Sequence, residues 1–372
     1  MNYFSVLSLL ALITYMPEWG FFAHRKINEL AVYTLPPEMK VFFTPNQDYF
    51  SRHAIDADKR RYASTFEAPR HYIDLDQYGG IPFNGLKRDF RTDLRNHCTF
   101  YWIAEGEELS YQLPDSLIKK SAFKIWFDTL AMDFYYEEDW LVPLDQSFHR
   151  DSIRYKIKVV DGFTEHGVLP YNISRVYHRL TDAFRDLDAQ KICRYAADLG
   201  HYLGDATVPL HTSSNYNGQQ TGQYGIHAFW ESRLPEYFAK DYNEWVGQAL
   251  YFNNVDSVIW TIITESHALV EEVLEKERFV RSVMEDDLQY GVTQRGERLV
   301  TSQSDTLTVL YHQSLGGMVE SRYRRAIHAL GSLWYSSWVD AGMPDLHQLE
   351  SDFGLNDIPK KGRIITRRVH FE

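Results

Sequence analysis

The chain has 372 residues, 44% of them hydrophobic and 15% aromatic, and carries a formal net charge of −12. So much apolar material, without a low-complexity run, excludes a disordered chain. The acidic balance, with no Lys/Arg cluster forming a basic face, argues against gripping duplex nucleic acid by phosphate neutralisation. It does not argue against an enzyme handling phosphates, because bound cations reverse the local sign.

The first residues, MNYFSVLSLLALITYMPE, hold an apolar run from Phe4 to Met16. It is shorter than the roughly 20 residues a bilayer span takes, and it fits the core of a signal peptide. We expect residues 1–18 to be a leader and the protein to be exported, secreted or periplasmic, although Met16 and Glu18 are poor residues before a cleavage at Trp19. From residue 20 on, helical periodicity dominates. In HRKINELAVYTL, Ile27, Leu30, Ala31 and Leu35 share one face, and similar spacing recurs over 118–134, 172–187, 189–203, 243–277 and 305–339. Alternating β pattern is scarce, its best instance being RIITRRVHF at 363–371. YGGIPFNG and SSNYNGQQTGQYG read as loops. The expectation is an all-α fold: one multi-helix domain over 19–355, monomeric and without a stable protein partner, then a short extended tail over 356–372. Cys98 and Cys193 stand far apart and form either one bridge or two thiols.

The chemistry lies in HYLGDATVPLH (201–211) and HAFWE (227–231). A His followed four places later by an acid puts both on one helix face, the geometry for a shared ion. With 15 His and 51 acids in the chain, chance alone supplies about two such pairs. There are four: His178/Asp182, His201/Asp205, His227/Glu231 and His267/Glu271. His178 and His267 lie in charged, amphipathic stretches and read as solvated surface pairs. His201 and Asp205 lie in an apolar helix interrupted by Gly200 and Gly204, which admit a close neighbour. Imidazoles and carboxylates in so apolar a setting cost several kcal/mol unless paired or metal-bound, so there metal is the better reading. APRHYIDLD adds His71, Asp74 and Asp76, and HAIDADKRRYA adds Asp56 and Asp58 before a basic triplet, Lys59-Arg60-Arg61, that reads by itself as a solvated helix face.

Taken in order, Trp19, His24, Asp58, His71, His201, Asp205, His211, His227 and Glu231 resemble the ligand series of the zinc-dependent phospholipase C and S1/P1 nuclease superfamily, over text spanning more than half the chain. Asp58 rather than Asp56 fits the nuclease-type ADxxR pattern. The resemblance implies a helical fold around three Zn²⁺ ions. One would take Asp58, His71, His201 and Asp205. A second would take His211, His227 and Glu231. The third would take His24, Asp205 as a bridge, and the amine and carbonyl of Trp19 once the leader is removed; two ions are expected if Trp19 is not the mature N-terminus. It further implies hydrolysis of a phosphodiester by a metal-activated hydroxide, the excess positive charge drawing the anion. Asp76 would orient that water or a ligating His, and Arg61 would touch phosphate; a plain surface salt bridge is the equal alternative for both. Glu231 as the closing acid, the text HYIDLDQYGGIPF and the short His211–His227 loop favour a phospholipid headgroup as substrate. The alternative is single-stranded nucleic acid, with Tyr72, Tyr216, Tyr224 and Phe229 as stacking candidates. A third possibility is an exported helical protein with structural zinc only. The stretch from about 240 to 372 holds no readable motif, and Arg322, Arg324, Arg325, Arg367 and Arg368 there are expected to face solvent.

Overall fold

The computed structural model describes residues 21–349, apart from 105–109, 114, 122, 126, 128–145, 151–152 and 296–297. The leader, Trp19, the 363–371 strand candidate, Arg367 and Arg368 lie outside the described residues, as does most of the helical stretch expected over 118–134.

The fold is mostly helical. Its principal helices are α1 (Phe21–Ala31), α2 (Pro37–Phe43), α3 (Gln47–His53), α4 (Asp56–Arg60), α5 (Phe90–His97), α6 (Leu169–Arg185), α7 (Ala189–Thr207), α8 (Val255–His267), α9 (Val270–Ser282), α10 (Asp305–Ser314) and α11 (Met318–Asp340). At the centre is α7, on which α6, α11, α3 and α1 pack. Asp188 caps its start by accepting a hydrogen bond from the Lys191 amide. From Ala196 to Thr207 every residue of α7 is buried, as expected of a helix surrounded by others. The two glycines set the closest packing. A Cβ at Gly200 would lie 1.7 Å from Asn28 Oδ1 and one at Gly204 would lie 2.6 Å from His24 Nδ1, so α1 rests directly on the α7 backbone. Asn28 uses that closeness to donate to the carbonyls of Phe50 and Ala197, each at 3.1 Å.

The all-α expectation holds, with short strands added: among the described residues, β1 (Cys98–Ala104), β2 (Ser110–Gln112), β3 (Gln146–Arg150) and β4 (Ile153–Asp161) form an antiparallel sheet in the order β2-β1-β4-β3. A separate hairpin joins β5 (Tyr290–Arg295) to β6 (Arg298–Gln303). The stretch expected to be helical over 243–277 begins as an extended strap. The amides of Leu250 and Phe252 donate to Ser332 Oγ and Ser336 Oγ of α11, and α8 starts only after the Asn254 cap. Arg322 is buried rather than solvated, donating to the carbonyls of Thr207 and Ile262 and to Ser266 Oγ. Cys98 and Cys193 are free thiols. No helix among the described residues is long and apolar enough to cross a membrane.

Candidate metal centre

Five pieces of chain bring the predicted donors together. On α7, His201 and Asp205 lie one turn apart and both are buried. The helix ends at Thr207, and the short turn Pro209–Thr212 swings His211 back beside them. The Ile73 amide donates to the His211 carbonyl at 2.9 Å, stitching the segment after His71 to that turn. Beyond the 213–225 loop, left-handed Gly225 starts the helix holding His227, which widens into a π-turn over Phe229–Arg233 holding Glu231. Such turns recur at functional sites because they re-aim side chains. His24 arrives on α1 across Gly204, and Asp58 on the first turn of α4.

Asp205 is the hub. Its Oδ1 lies 3.3 Å from His24 Nε2 and 3.7 Å from His211 Nε2; its Oδ2 lies 2.9 Å from His71 Nδ1 and 3.5 Å from His201 Nε2. Each carboxylate oxygen therefore faces a different pair of imidazoles, which is what a bridging ligand needs. Glu231 faces His24 at 3.1 Å, His227 at 2.8 Å and His211 at 3.4 Å. Asp58 Oδ1 stands 3.9 Å from His71 Nδ1 and 3.8 Å from His201 Nε2. Three groups have donor atoms all within 4.8 Å of one another and can each hold a metal ion: His24/His201/Asp205, Asp58/His71/His201 and His211/His227/Glu231. Eight of the nine expected ligands converge, and the ninth, Trp19, lies outside the described residues.

The electrostatics fit a cation. Burial disfavours the charged form of His71, but the neighbouring carboxylates of Asp205 and Glu67 outweigh that and raise its pKa to about 9. His24 and His211 are likewise held above the ordinary value, burial being overcome in both by Asp205 and Glu231. His201 goes the other way, to about 4, because burial outweighs the attraction of Asp205. Asp205 and Glu231 resist burial through their histidine partners and stay well below the usual carboxylate range. Without a cation the site balances its carboxylates by taking up protons; a divalent ion would replace them on the same nitrogens.

Backbone carbonyls orient the rings. His201 Nδ1 donates to Ala54 O at 2.7 Å and His227 Nδ1 to Tyr216 O at 3.2 Å, leaving each Nε2 lone pair toward the centre. For His71 that role falls to a residue the sequence reading did not single out. Glu67 is buried, and its Oε1 stands 3.7 Å from His71 Nε2. Arg70 holds it at 2.7 Å, and Tyr202 Oη also donates to it. Arg60 bridges Glu67, the Tyr202 hydroxyl and Asp198, so it leaves the solvated face expected for the basic triplet. Glu67 lies four residues before His71, and that spacing was its one legible signal. Replacing Glu67 with Gln should weaken divalent-metal affinity about 10- to 100-fold, measured by competition with a chromophoric chelator. Unchanged affinity would remove Glu67 from the centre.

The remaining expected residues divide. Arg61 lies at the rim, its Nη1 3.5 Å from Asp58 Oδ1. Asp76 is exposed and accepts from the amide and hydroxyl of Ser214; it tethers the 213–225 loop and makes no described contact with a ligating histidine. Asp56 pairs with His53 and Lys59, leaving Asp58 as the carboxylate that turns inward. Tyr72 stands at the margin, its hydroxyl donating to Glu165 O at 3.0 Å. Tyr216 is exposed with its ring 6.0 Å from that of His227, and Tyr224 is exposed. Phe229 is fully buried against Tyr311, which excludes it as a stacking residue. His178 is exposed, as expected, and His178→Ala should leave metal affinity within about twofold of the parent, as surface changes generally do. His267 departs from expectation: it is half-buried, bonds to the Thr212 carbonyl at 2.9 Å and packs edge-on against Phe83. No family model matches the chain, and no curated protein matches it.

Proposed function

We propose that the protein is a zinc-dependent phosphodiesterase that cleaves phospholipid headgroups in the manner of phospholipase C. The observation that carries this reading is the placement of Asp205 between two imidazole pairs, with Glu231 and Asp58 completing donor sets on either side. Structural zinc is normally enclosed by four ligands, whereas eight converging nitrogen and oxygen donors exceed the needs of one closed site.

Zinc bound there would supply Lewis acidity and an acidified water at neutral pH. The chain's own groups do the rest. Arg61, at the rim beside Asp58, attracts and orients the phosphodiester anion. Asp58, partly open to solvent, accepts the proton of the attacking water. His201 and His227, fixed through Nδ1, keep the cradle rigid. The water oxygen bonds to phosphorus as the P–O bond to the alcohol breaks, and the proton held by Asp58 passes to the departing alcohol oxygen, leaving a phosphate monoester. Single-stranded nucleic acid remains the second substrate class, and the exposed Tyr216 ring beside His227 is the feature that favours it.

The test is hydrolysis of bis-(p-nitrophenyl) phosphate by zinc-loaded protein, with and without chelator, followed by phosphatidylcholine, single-stranded DNA and RNA. Chelator-sensitive release of nitrophenol with turnover of phosphatidylcholine is the expected result. Inactivity on all four substrates would leave zinc a structural role.

A further inference from the structure

Asp205 lies in the last turn of α7, where the backbone runs out of partners within the helix. The final four carbonyls of an α-helix need donors from elsewhere. Here each finds one. Gly204 O accepts from Thr207 Oγ at 2.8 Å and Asp205 O from the Val208 amide at 3.0 Å, both within the segment itself. Ala206 O accepts from Ser266 Oγ of α8 at 2.6 Å, and Thr207 O from Arg322 Nε of α11 at 3.0 Å. The last two residues of the helix are thus held from outside it, directly after the carboxylate that faces four imidazoles.

Arg322 and Ser266 are both buried and act together. Arg322 Nη2 donates to Ile262 O at 3.1 Å and to Ser266 Oγ at 2.6 Å, and Nη1 donates to Glu265 at 3.1 Å. A hydroxyl has a single proton to give. Ser266 Oγ lies 3.0 Å from Ile262 O, which Arg322 already occupies, and 2.6 Å from Ala206 O, so the guanidinium directs that proton to α7. It also stands where a cation is favoured, at the negative end of α7, with Glu265 balancing its charge. Together with His24, Gly204 and Glu231 it lines a small cavity beside the donors. The next residue of α8 holds the other side of the ligand segment. His267 Nδ1 donates to Thr212 O at 2.9 Å, one residue beyond His211. Two consecutive side chains of α8 therefore grip Ala206 and Thr212, and the chain between these points sets the separation of Asp205 from His211. Neither Ser266 nor His267 belongs to a donor group. Helix ends and short turns open readily unless tied, whereas a site must hold its ligands to within about 0.5 Å.

We propose that Arg322, Ser266 and His267 are positioning residues that fix Asp205 relative to His211 and so preform the centre for a divalent metal. The inference rests on the metal-binding part of the proposed function and is independent of the substrate. Full-length protein and its Ser266→Ala and His267→Ala variants are to be titrated with Co²⁺ alone, with affinity read by competition with a chromophoric chelator and ligand geometry by the visible spectrum. Each variant should bind Co²⁺ about tenfold more weakly than the parent, with an altered visible band. His267→Asn places an amide N–H close to the position of Nδ1 and should recover most of the lost affinity. Near-UV circular dichroism and the Tm of the chelator-treated proteins report the fold separately. A merely structural role would lower the Tm and leave the affinity and spectrum of the folded variants unchanged, and that result overturns the proposal. So does a His267→Asn protein that binds as weakly as His267→Ala. Arg322→Met removes the donor to Thr207 O and Ser266 Oγ together and should weaken binding further; where it fails to fold, the two α8 variants decide. A parent that binds no divalent ion overturns the metal centre itself and this proposal with it, whereas a parent that binds and variants that match it overturn the positioning role alone.

Discussion

Replacing Asp205 with Asn is expected to lower hydrolysis of bis-(p-nitrophenyl) phosphate by at least about a thousandfold at saturating zinc, equivalent to about 4 kcal/mol of lost charge stabilisation. The side chain keeps its shape but loses its charge, and one of its oxygens becomes an amide donor. At present Oδ2 faces His71 and His201 while Oδ1 faces His24 and His211, so either orientation of the amide turns an N–H toward imidazoles that must offer lone pairs to a cation. Both imidazole pairs that face the carboxylate are disturbed by one substitution. Far-UV circular dichroism should be unchanged, because the contacts that hold α7 in the core belong to Gly200, Gly204 and the apolar face rather than to the carboxylate. Zinc stoichiometry by elemental analysis should fall in the same variant. Activity within tenfold of the parent would detach Asp205 from the reaction.

The chelator-treated protein should be most stable near pH 6.5 and lose stability in both directions. His71 has a folded pKa of about 9 against an ordinary value of 6.5. Its protonation stabilises the fold fully below about pH 6.5, and the contribution, up to about 3 kcal/mol, disappears as the pH rises through 9. His201 is shifted down to about 4. The unfolded chain therefore takes up that proton first, and stability falls as the pH drops from 6.5 toward 4. Burial lowers His201, to which the neighbouring His71, its Nδ1 3.0 Å from His201 Nε2, adds a smaller push, whereas Asp205 and Glu67 raise His71. Bound zinc, on the proposed reading, would reverse the alkaline limb, because it binds unprotonated imidazole and its affinity grows as protons leave. Thermal melts between pH 5 and 9.5, with chelator and with zinc, test this. A chelated protein whose Tm climbs steadily to pH 9 would contradict it.

How much of this was legible beforehand depended on the range of the interaction. The spacing of His201 and Asp205, and of His227 and Glu231, is a local property: four residues make about one helical turn, so the pairs could be read directly. Gly200 and Gly204 announced a close approach, although nothing local said that α1 would supply it through His24 and Asn28. The choice of Asp58 over Asp56 came from a motif, and the structure gives its physical counterpart, since His53 and Lys59 hold Asp56 outside. The expected solvated pair of His267 with Glu271 is replaced by a bond to the backbone of Thr212, 55 residues away, while His267 stays outside the donor cluster. Phe229 failed as a stacking candidate because burial against Tyr311 depends on packing between distant helices. The sheet was missed since its strands need partners across long separations: β1 pairs with β4 along Cys98↔Asp161 to Ala104↔Tyr155.

Sequence by itself determined the helical character and pointed to the candidate donor residues in their order, because hydrophobic periodicity and residue chemistry are written locally. Only the tertiary structure decided which oxygen of Asp205 faces which imidazole, that Arg60 and Glu67 stand behind His71, and that Ser266 and His267 grip the chain at Ala206 and Thr212. Those outcomes depend on contacts between segments up to about two hundred residues apart, such as His24 with Glu231, and no local pattern encodes the angle at which two helices meet.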